Sequence, residues 1–357
     1  MMISAFNETY YSEKLKIQSD EIGVIGRKMS LPIYLPENQI HLTNQNLIDG
    51  VKNYKTIIIS TLEHIRIDYY YEFIEYCISN GKKLIFDTFT FGYEDVLKEK
   101  YNSELIVYRP IELNILKVID LIDIHKNKII SDKSKLLKFC AYNRNLGKDY
   151  IIWELYKRNL LYNENNNITY HNHLFNQDDK SLDKLRNMRG FYSEDDLAYA
   201  GDIDFEFLKD LYIVPDSEKF EVGSEQKQQR DRLVEMHSES MFNIILEASY
   251  SFTPTITDPK YNFISIYTKT IFPIYFKNVF HIMPGQYKLA TALKDLGFEL
   301  FFNSDDEFFN NLNEEFYYRE DTQSKLNHNR NQIIKIYNNQ RTRWKNGEYQ
   351  WIYEHIS

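Results

Sequence analysis

Two carboxylates and a group of cations stand where the apolar runs of this chain end. Glu247 closes Met-Phe-Asn-Ile-Ile-Leu-Glu at 241–247, and Asp87 follows Leu-Ile-Phe at 84–86. A carboxylate at a strand end is the residue type that a general base acting on a hydroxyl requires. Lys269 lies inside Ile-Tyr-Thr-Lys-Thr-Ile-Phe-Pro-Ile at 266–274, and Gly285 ends Val-Phe-His-Ile-Met-Pro-Gly at 279–285. Earlier, the apolar stretch 136–142 runs into Asn143-Arg144-Asn145-Leu-Gly-Lys148, and a helical pattern begins near Asp149. A strand, a basic polar loop and a helix start suit an anionic phosphate, because free backbone amides and the helix dipole point at the loop. His171 and His173 would share a strand face, but no Cys and no third ligand stand nearby, so they read as loop histidines and no metal site is expected. Asp305-Asp306-Glu307 reads as an N-terminal helix cap rather than a catalytic group.

The elements that must position these residues follow from periodicity. The runs at 241–247, 266–274 and 279–285, closed by Leu-Gly-Phe-Glu-Leu-Phe-Phe at 296–302, each end at a polar or glycine turn with helical segments between them. That is the pattern of a parallel-sheet α/β domain. Ligands of such sheets sit at the carboxyl ends of the strands, where Glu247, Lys269 and Gly285 fall. Upstream, 56–60 and 84–86 read as buried strands with a helix over 68–79 between them, then a strand at 105–107 and a helix over 115–122. Gly23-x-x-Gly26-Arg27-Lys28 lacks the full glycine fingerprint of a phosphate loop and reads as a turn between short strands. The polar stretch 125–135 sets a domain boundary near residue 130. Beyond it come a strand at 168–170 and a helix over 226–239. The expected organisation is an N-terminal α/β domain over 1–130, a ligand-binding α/β domain over 131–320 and a basic helical tail over 321–357.

The totals restrict the function classes. At 357 residues the chain is long enough for two domains, and its formal charge of −9 does not advertise a general nucleic-acid surface. The 29 Tyr and 23 Phe read as the codon bias of an AT-rich genome rather than as stacking platforms. Two cysteines, Cys77 and Cys140, at no metal-ligand spacing, imply reduced thiols and a cytoplasmic setting. Neither a signal peptide nor a membrane span is expected. From Thr322 to Gly347 there is no Asp or Glu but six cations, with Leu326, Ile333, Ile334, Tyr337 and Trp344 on one helical face. The tail therefore reads as a basic amphipathic helix, packed on an acidic body or tracking the phosphates of a polyanionic acceptor.

Several segments in order resemble a known family. Phe139-Cys-Ala-Tyr-Asn143 followed by Lys148-Asp-Tyr-Ile-Ile-Trp-Glu-Leu155 resembles the start of the donor domain of α-1,3-fucosyltransferase-like enzymes. Phe242-Asn-Ile-Ile-Leu-Glu247 looks like their Phe-x-x-x-x-Glu segment, 266–274 like their Thr-Glu-Lys segment, and Pro284-Gly285 like their Pro-Val-x-x-Gly region. Still nearer in pattern are glycosyltransferase-type proteins of bacteriophages and large viruses. Their Gly-Phe-x-x-Phe strand and Asp-Glu-x-Tyr element look like Gly297–Phe301 and Asp306-Glu307-Phe308-Phe309 here. The resemblance covers about 135–160 and 240–310.

The resemblance implies two Rossmann-like domains of GT-B type, with a nucleotide-sugar held mainly by the C-terminal one and no separate cofactor. It implies transfer of a sugar to an acceptor hydroxyl, inverting and metal-independent, the acceptor being a glycan or a small molecule. Asn143, Arg144, Lys148, Thr268, Lys269, Thr270 and Gly285 become the donor-binding candidates. Glu247 either serves as the base or orients the donor, and Asp87 is a second candidate base. Two positions depart from the pattern. Lys148 stands where the family has Arg, a point charge without the bidentate fork. Thr268 stands where the family has the Glu of Thr-Glu-Lys. The competing expectations are a GT-B-like binding or assembly protein without catalysis, and a glycosyltransferase acting on modified DNA bases.

Overall fold

The computed structural model describes residues 22–25, 43–61, 70–88, 90–91, 93–108, 111–141, 146–170, 203–204, 207–208, 211, 213, 226–246, 264–266, 268–283 and 287–346. The fold is mixed α/β, with two four-stranded parallel sheets. The chain divides into two compact units: residues 1–116, 257–265 and 337–357 form the first, and 117–256 with 266–336 form the second.

In the first unit the strands are β1 (Ile22–Ile25), β2 (Thr56–Thr61), β3 (Lys83–Thr88) and β5 (Ile106–Tyr108), in the spatial order β1-β2-β3-β5. Helices α1 (Asn44–Val51), α2 (Tyr71–Ser79) and α3 (Tyr93–Tyr101) connect them. Chain order and spatial order run the same way. Right-handed crossovers then place all three helices on one face, and Leu47, Val51, Phe73, Ile74, Cys77 and Leu97 pack there against Ile57, Ile59, Leu84, Phe86 and Ile106. Gly23 lies inside β1, paired with Ile57, so the turn expected at this glycine is a strand instead. With no side chain of its own, its strand character comes from the neighbouring ladder rather than from a sequence signal. A two-stranded antiparallel ribbon joins β4 (Thr90–Phe91) to β9 (Ile264–Ser265).

A buried lysine ties this unit together. Lys82, 8% exposed, donates to the carbonyl oxygens of Val51 at 3.1 Å, Lys52 at 2.9 Å and Tyr54 at 2.6 Å. All three ammonium protons are used, and the carbonyls they satisfy are those left over at the end of α1. Cys77 is a free buried thiol, pushed up to about 12 mainly by burial, so it is unreactive in the fold. The side chain of Cys140 lies outside the described residues.

Helix α4 (Glu112–Ile124) crosses the division between the units. The sheet of the second unit contains β6 (Lys135–Ala141), β7 (Asn166–Tyr170), β8 (Ser240–Ile245) and β10 (Val279–Ile282), in the order β10-β8-β6-β7. Helix α5 (Leu146–Lys157) follows β6, α6 (Gln226–Glu239) leads into β8, and α7 (Thr268–Tyr275) precedes β10. Then come α8 (Tyr287–Asp295), α9 (Asp305–Asn310), α10 (Glu314–Tyr318) and α11 (Glu320–Lys345). The register puts Leu137, Tyr170 and Phe242 on one face and Lys138, Asn167 and Asn243 on the other. On the first face Tyr170 bonds Asp149 of α5, while Phe242 meets Phe308 of α9 and Phe316 of α10. On the second, His237 of α6 contacts both Asn243 and Phe272 of α7. The sheet is wound on both faces.

Two expected strands are absent. The run at 266–274 folds as α7, with residues 270–274 all buried. Continuous burial removes the amphipathic stripe by which a helix is recognised, leaving a pattern that a buried strand shares. Pro273 belongs poorly in a central strand, where it would lack a ladder N–H. The segment at 296–302 makes no ladder. Its backbone is bonded by side chains of α11 instead: Glu299 N donates to Asn329 Oδ1 at 2.8 Å, and Asn329 Nδ2 donates back to Glu299 O at 2.8 Å. Gln332 and His328 add bonds to the carbonyls of Leu296 and Gly297. Phe301 packs on Phe280, and Phe302 on the opposite-facing His281, so the segment caps the open edge of β10 from both sides. In α11, Thr322, Leu326, Asn329, Ile333, Ile336, Tyr337 and Gln340 are buried.

Asn329→Ala removes both partners of the Glu299 backbone and is expected to lower stability by about 2 kcal/mol. Urea unfolding checks this, and a change below about 0.5 kcal/mol, the scatter of neutral surface substitutions, would mean the segment holds itself.

Candidate functional site

Strand order decides where a ligand can sit. In the second unit the chain passes from β6 outward to β7, returns across β6 to β8, and continues to β10. The order reverses between β6 and β8, and in an open parallel sheet the crevice at the carboxyl ends of such a pair is the ligand site. The first unit has no reversal among its described strands, so the same rule gives no crevice there.

The candidates of the second unit cluster in sequence around this switch point. Asn143 and Arg144 follow β6 by two and three residues, and Glu247 follows β8 by two; all three lie outside the described residues, as does Gly285 after β10. Asp87 is part of β3 in the first unit, with its side chain outside what is described.

Lys269 is the exposed described cation among the candidates at this edge. It stands in the first turn of α7, is exposed, and its Nζ donates to Leu246 O at 3.1 Å. Leu246 is the first residue past β8, so the bond brings the ammonium to the end of a switch-point strand. Thr268 opens α7, and Thr270 is fully buried in it. Thr268 therefore presents a hydroxyl at the helix start where a carboxylate was the expected donor contact.

Lys148 and Asp149 lie in the first turn of α5, 6% and 0% exposed. Tyr170, the last residue of β7, donates its hydroxyl to Asp149 Oδ1 at 2.7 Å. A carboxylate in this position complements the positive end of α5 and fixes the helix against the strand edge. Next to it, Tyr150 donates to Asp305 Oδ2 at 3.1 Å, and His281 Nε2 donates to Asp305 Oδ1 at 2.6 Å. His281 is stacked on Phe308, with ring centroids 4.9 Å apart and planes 10° from parallel. Asp305 thus joins α5, β10 and α9 in one half-buried network. The helix cap expected at Asp305–Glu307 lies one residue earlier: Ser304 is the capping side chain, accepting from Glu307 N, and the three acids form the first turn of α9. The sequence reading missed the partner of Asp305: a histidine inside an apolar strand was the available signal, since such a side chain needs a polar group to bond.

No group of three His, Cys, Asp or Glu able to hold a metal occurs among the described residues, and His171 and His173 lie outside them. None of the described helices is long and apolar enough to cross a membrane. Comparison with known protein families, with curated proteins and with solved structures finds no match.

Tyr170→Phe leaves the buried Asp149 carboxylate short of one donor, and a loss of about 2 kcal/mol in urea unfolding is expected. A variant as stable as the parent chain would show that this bond does not hold α5 against β7.

Proposed function

We propose that the chain is a glycosyltransferase of the two-domain GT-B type, moving a sugar from a nucleotide-sugar to an acceptor hydroxyl with inversion and without a metal. The observation that carries the reading is the reversal of strand order between β6 and β8, with Lys269 bonded to the end of β8. Support also comes from the position of Asn143, Arg144 and Glu247 within three residues of those two strand ends.

In this reading Lys269, with Arg144 or Lys148, stabilises the charge that builds on the departing nucleoside diphosphate. The acceptor oxygen forms its bond to the anomeric carbon as the carbon–oxygen bond to the diphosphate breaks. The electron pair of that bond leaves with the diphosphate, and the hydroxyl proton passes to Glu247. One displacement inverts the configuration. Asn143, Thr268 and Gly285 line the donor side, Thr270 being fully buried in α7, and the acceptor is a glycan or small molecule met in the cytoplasm, of a host cell if the chain is viral.

Thr268 favours a second reading, in which the same edge binds a nucleotide-sugar for assembly rather than transfer. The exposed Lys335, Arg341, Arg343 and Lys345 of α11 favour a variant of the first, with modified DNA as acceptor.

Thermal-shift titration with nucleoside diphosphates and nucleotide-sugars tests the reading. Stabilisation is expected, on the order of 2.7 kcal/mol at a hundredfold excess over Kd. Lys269→Ala is expected to abolish it and, where turnover occurs, to slow transfer by roughly a hundredfold. Silence from every nucleotide removes the main support; an unchanged shift in Lys269→Ala refutes the assignment of the diphosphate to this lysine. Binding without turnover selects the assembly reading.

A further inference from the structure

At the amino edge of the second sheet, on the side away from the switch point, three cations stand around the end of α7, and no carboxylate pairs with Lys133, Lys277 or Arg330 among the described residues. Helix α7 ends in a left-handed cap at Lys277, whose φ is +56°. Asn278 N donates to Pro273 O at 2.8 Å across it, the wrap-back bond of a helix terminus that usually carries glycine. A lysine in this conformation is strained relative to glycine, so its side chain is kept at a cost to the turn.

Around this cap the donors outnumber the acceptors. Lys133 spends all three ammonium protons, on Ser240 O at 2.7 Å, Phe276 O at 2.9 Å and Asn278 Oδ1 at 2.9 Å. Phe276 and Asn278, both held by Lys133, flank Lys277, and Arg330 lies over Tyr275 on the last turn of the same helix; burial, then the charges of Lys277 and Arg330, push Lys133 down to about 7. Neither the Lys277 ammonium nor the Arg330 guanidinium has an ion-pair partner among the described residues. Arg330 lies over the ring of Tyr275, 5.3 Å from its centroid, with Nε buried and lacking an acceptor. Asn278 is 0% exposed, and its Nδ2 lacks an acceptor as well. Buried N–H groups are almost always paired, and orphaned ones beside like charges are costly. A tetrahedral oxyanion supplies what is missing: negative charge for the cations, and acceptor oxygens for the amide and for the planar guanidinium fork.

We propose that Lys277, Arg330 and Asn278 form an oxyanion site that takes a phosphate group, with Lys133 as its fixed floor. The site is independent of the glycosyltransferase reading and shares no residue with it. Its phosphate comes either free or as part of a nucleotide, and the two are separated by experiment.

Inorganic phosphate and a nucleoside diphosphate are titrated separately into the full chain by calorimetry, against sodium chloride of equal ionic strength. Lys277→Gly suits the left-handed cap and keeps the fold, while Arg330→Gln keeps a planar polar head without the charge. Each is expected to weaken phosphate binding at least tenfold, with Lys269→Ala binding phosphate as the parent does. Weakening of the nucleoside diphosphate in the same two variants identifies the phosphate as a nucleotide's; its retention identifies free phosphate. No phosphate binding beyond the chloride control overturns the proposal. So does unchanged phosphate binding in both variants, or a loss confined to Lys269→Ala.

Discussion

Parallel strands cannot be closed by a hairpin; each pair needs a crossover, and the crossover has one hand. The arrangement of both sheets depends on this constraint. In the first unit every crossover steps in the same direction, so α1, α2 and α3 share one face. In the second, the step from β6 to β7 and the steps from β7 through β8 to β10 go opposite ways, which puts α5 and α6 on opposite faces. In an open parallel sheet such a reversal is where a ligand crevice is expected, here between β6 and β8. The chemistry proposed for Lys269 is therefore a consequence of strand order before it is a consequence of residue type.

Much of the remaining architecture consists of polar side chains standing in for secondary structure. Lys82 and Lys133 each satisfy three oxygens from inside the protein, one at the end of α1 and one at the end of α7. Asn329 pairs with the backbone of Glu299 as a neighbouring strand would. Asp305 gathers His281 and Tyr150. In each case the backbone or carboxylate would be left unpaired away from water if the side chain were removed, and the penalty for an unmade bond exceeds the net gain of a made one. These residues look replaceable in composition and are not replaceable in place.

Periodicity made most of the sheet strands legible. Thr56–Thr61, Lys83–Thr88, Ile106–Tyr108, Lys135–Ala141, Asn166–Tyr170, Ser240–Ile245 and Val279–Ile282 all coincide with apolar runs, and the helix over 226–239 matches α6 to the residue. The misreadings occur where burial or tertiary bonding hides the local pattern. Helix α7 is buried along 270–274 and so resembles a strand; 296–302 has the composition of a strand but takes its bonds from α11; Gly23 has no side chain to declare a strand. At the site, Lys269 was legible as a cation beside a strand end. The Asp305–His281–Tyr150 network and the Lys133–Lys277–Arg330 cluster were not, because their members are 24 positions or more apart in the chain and only the fold unites them.

The central claim is that the ligand sits at the carboxyl edge between β6 and β8. Hydrogen–deuterium exchange on the full chain, with and without a saturating nucleoside diphosphate, tests it most directly. The account predicts slowed exchange in peptides covering 142–150 and 246–270, where the two switch-point strands end and α5 and α7 begin. Slowed exchange confined to the strand ends of the first unit, at 60–69 and 87–92, would contradict it.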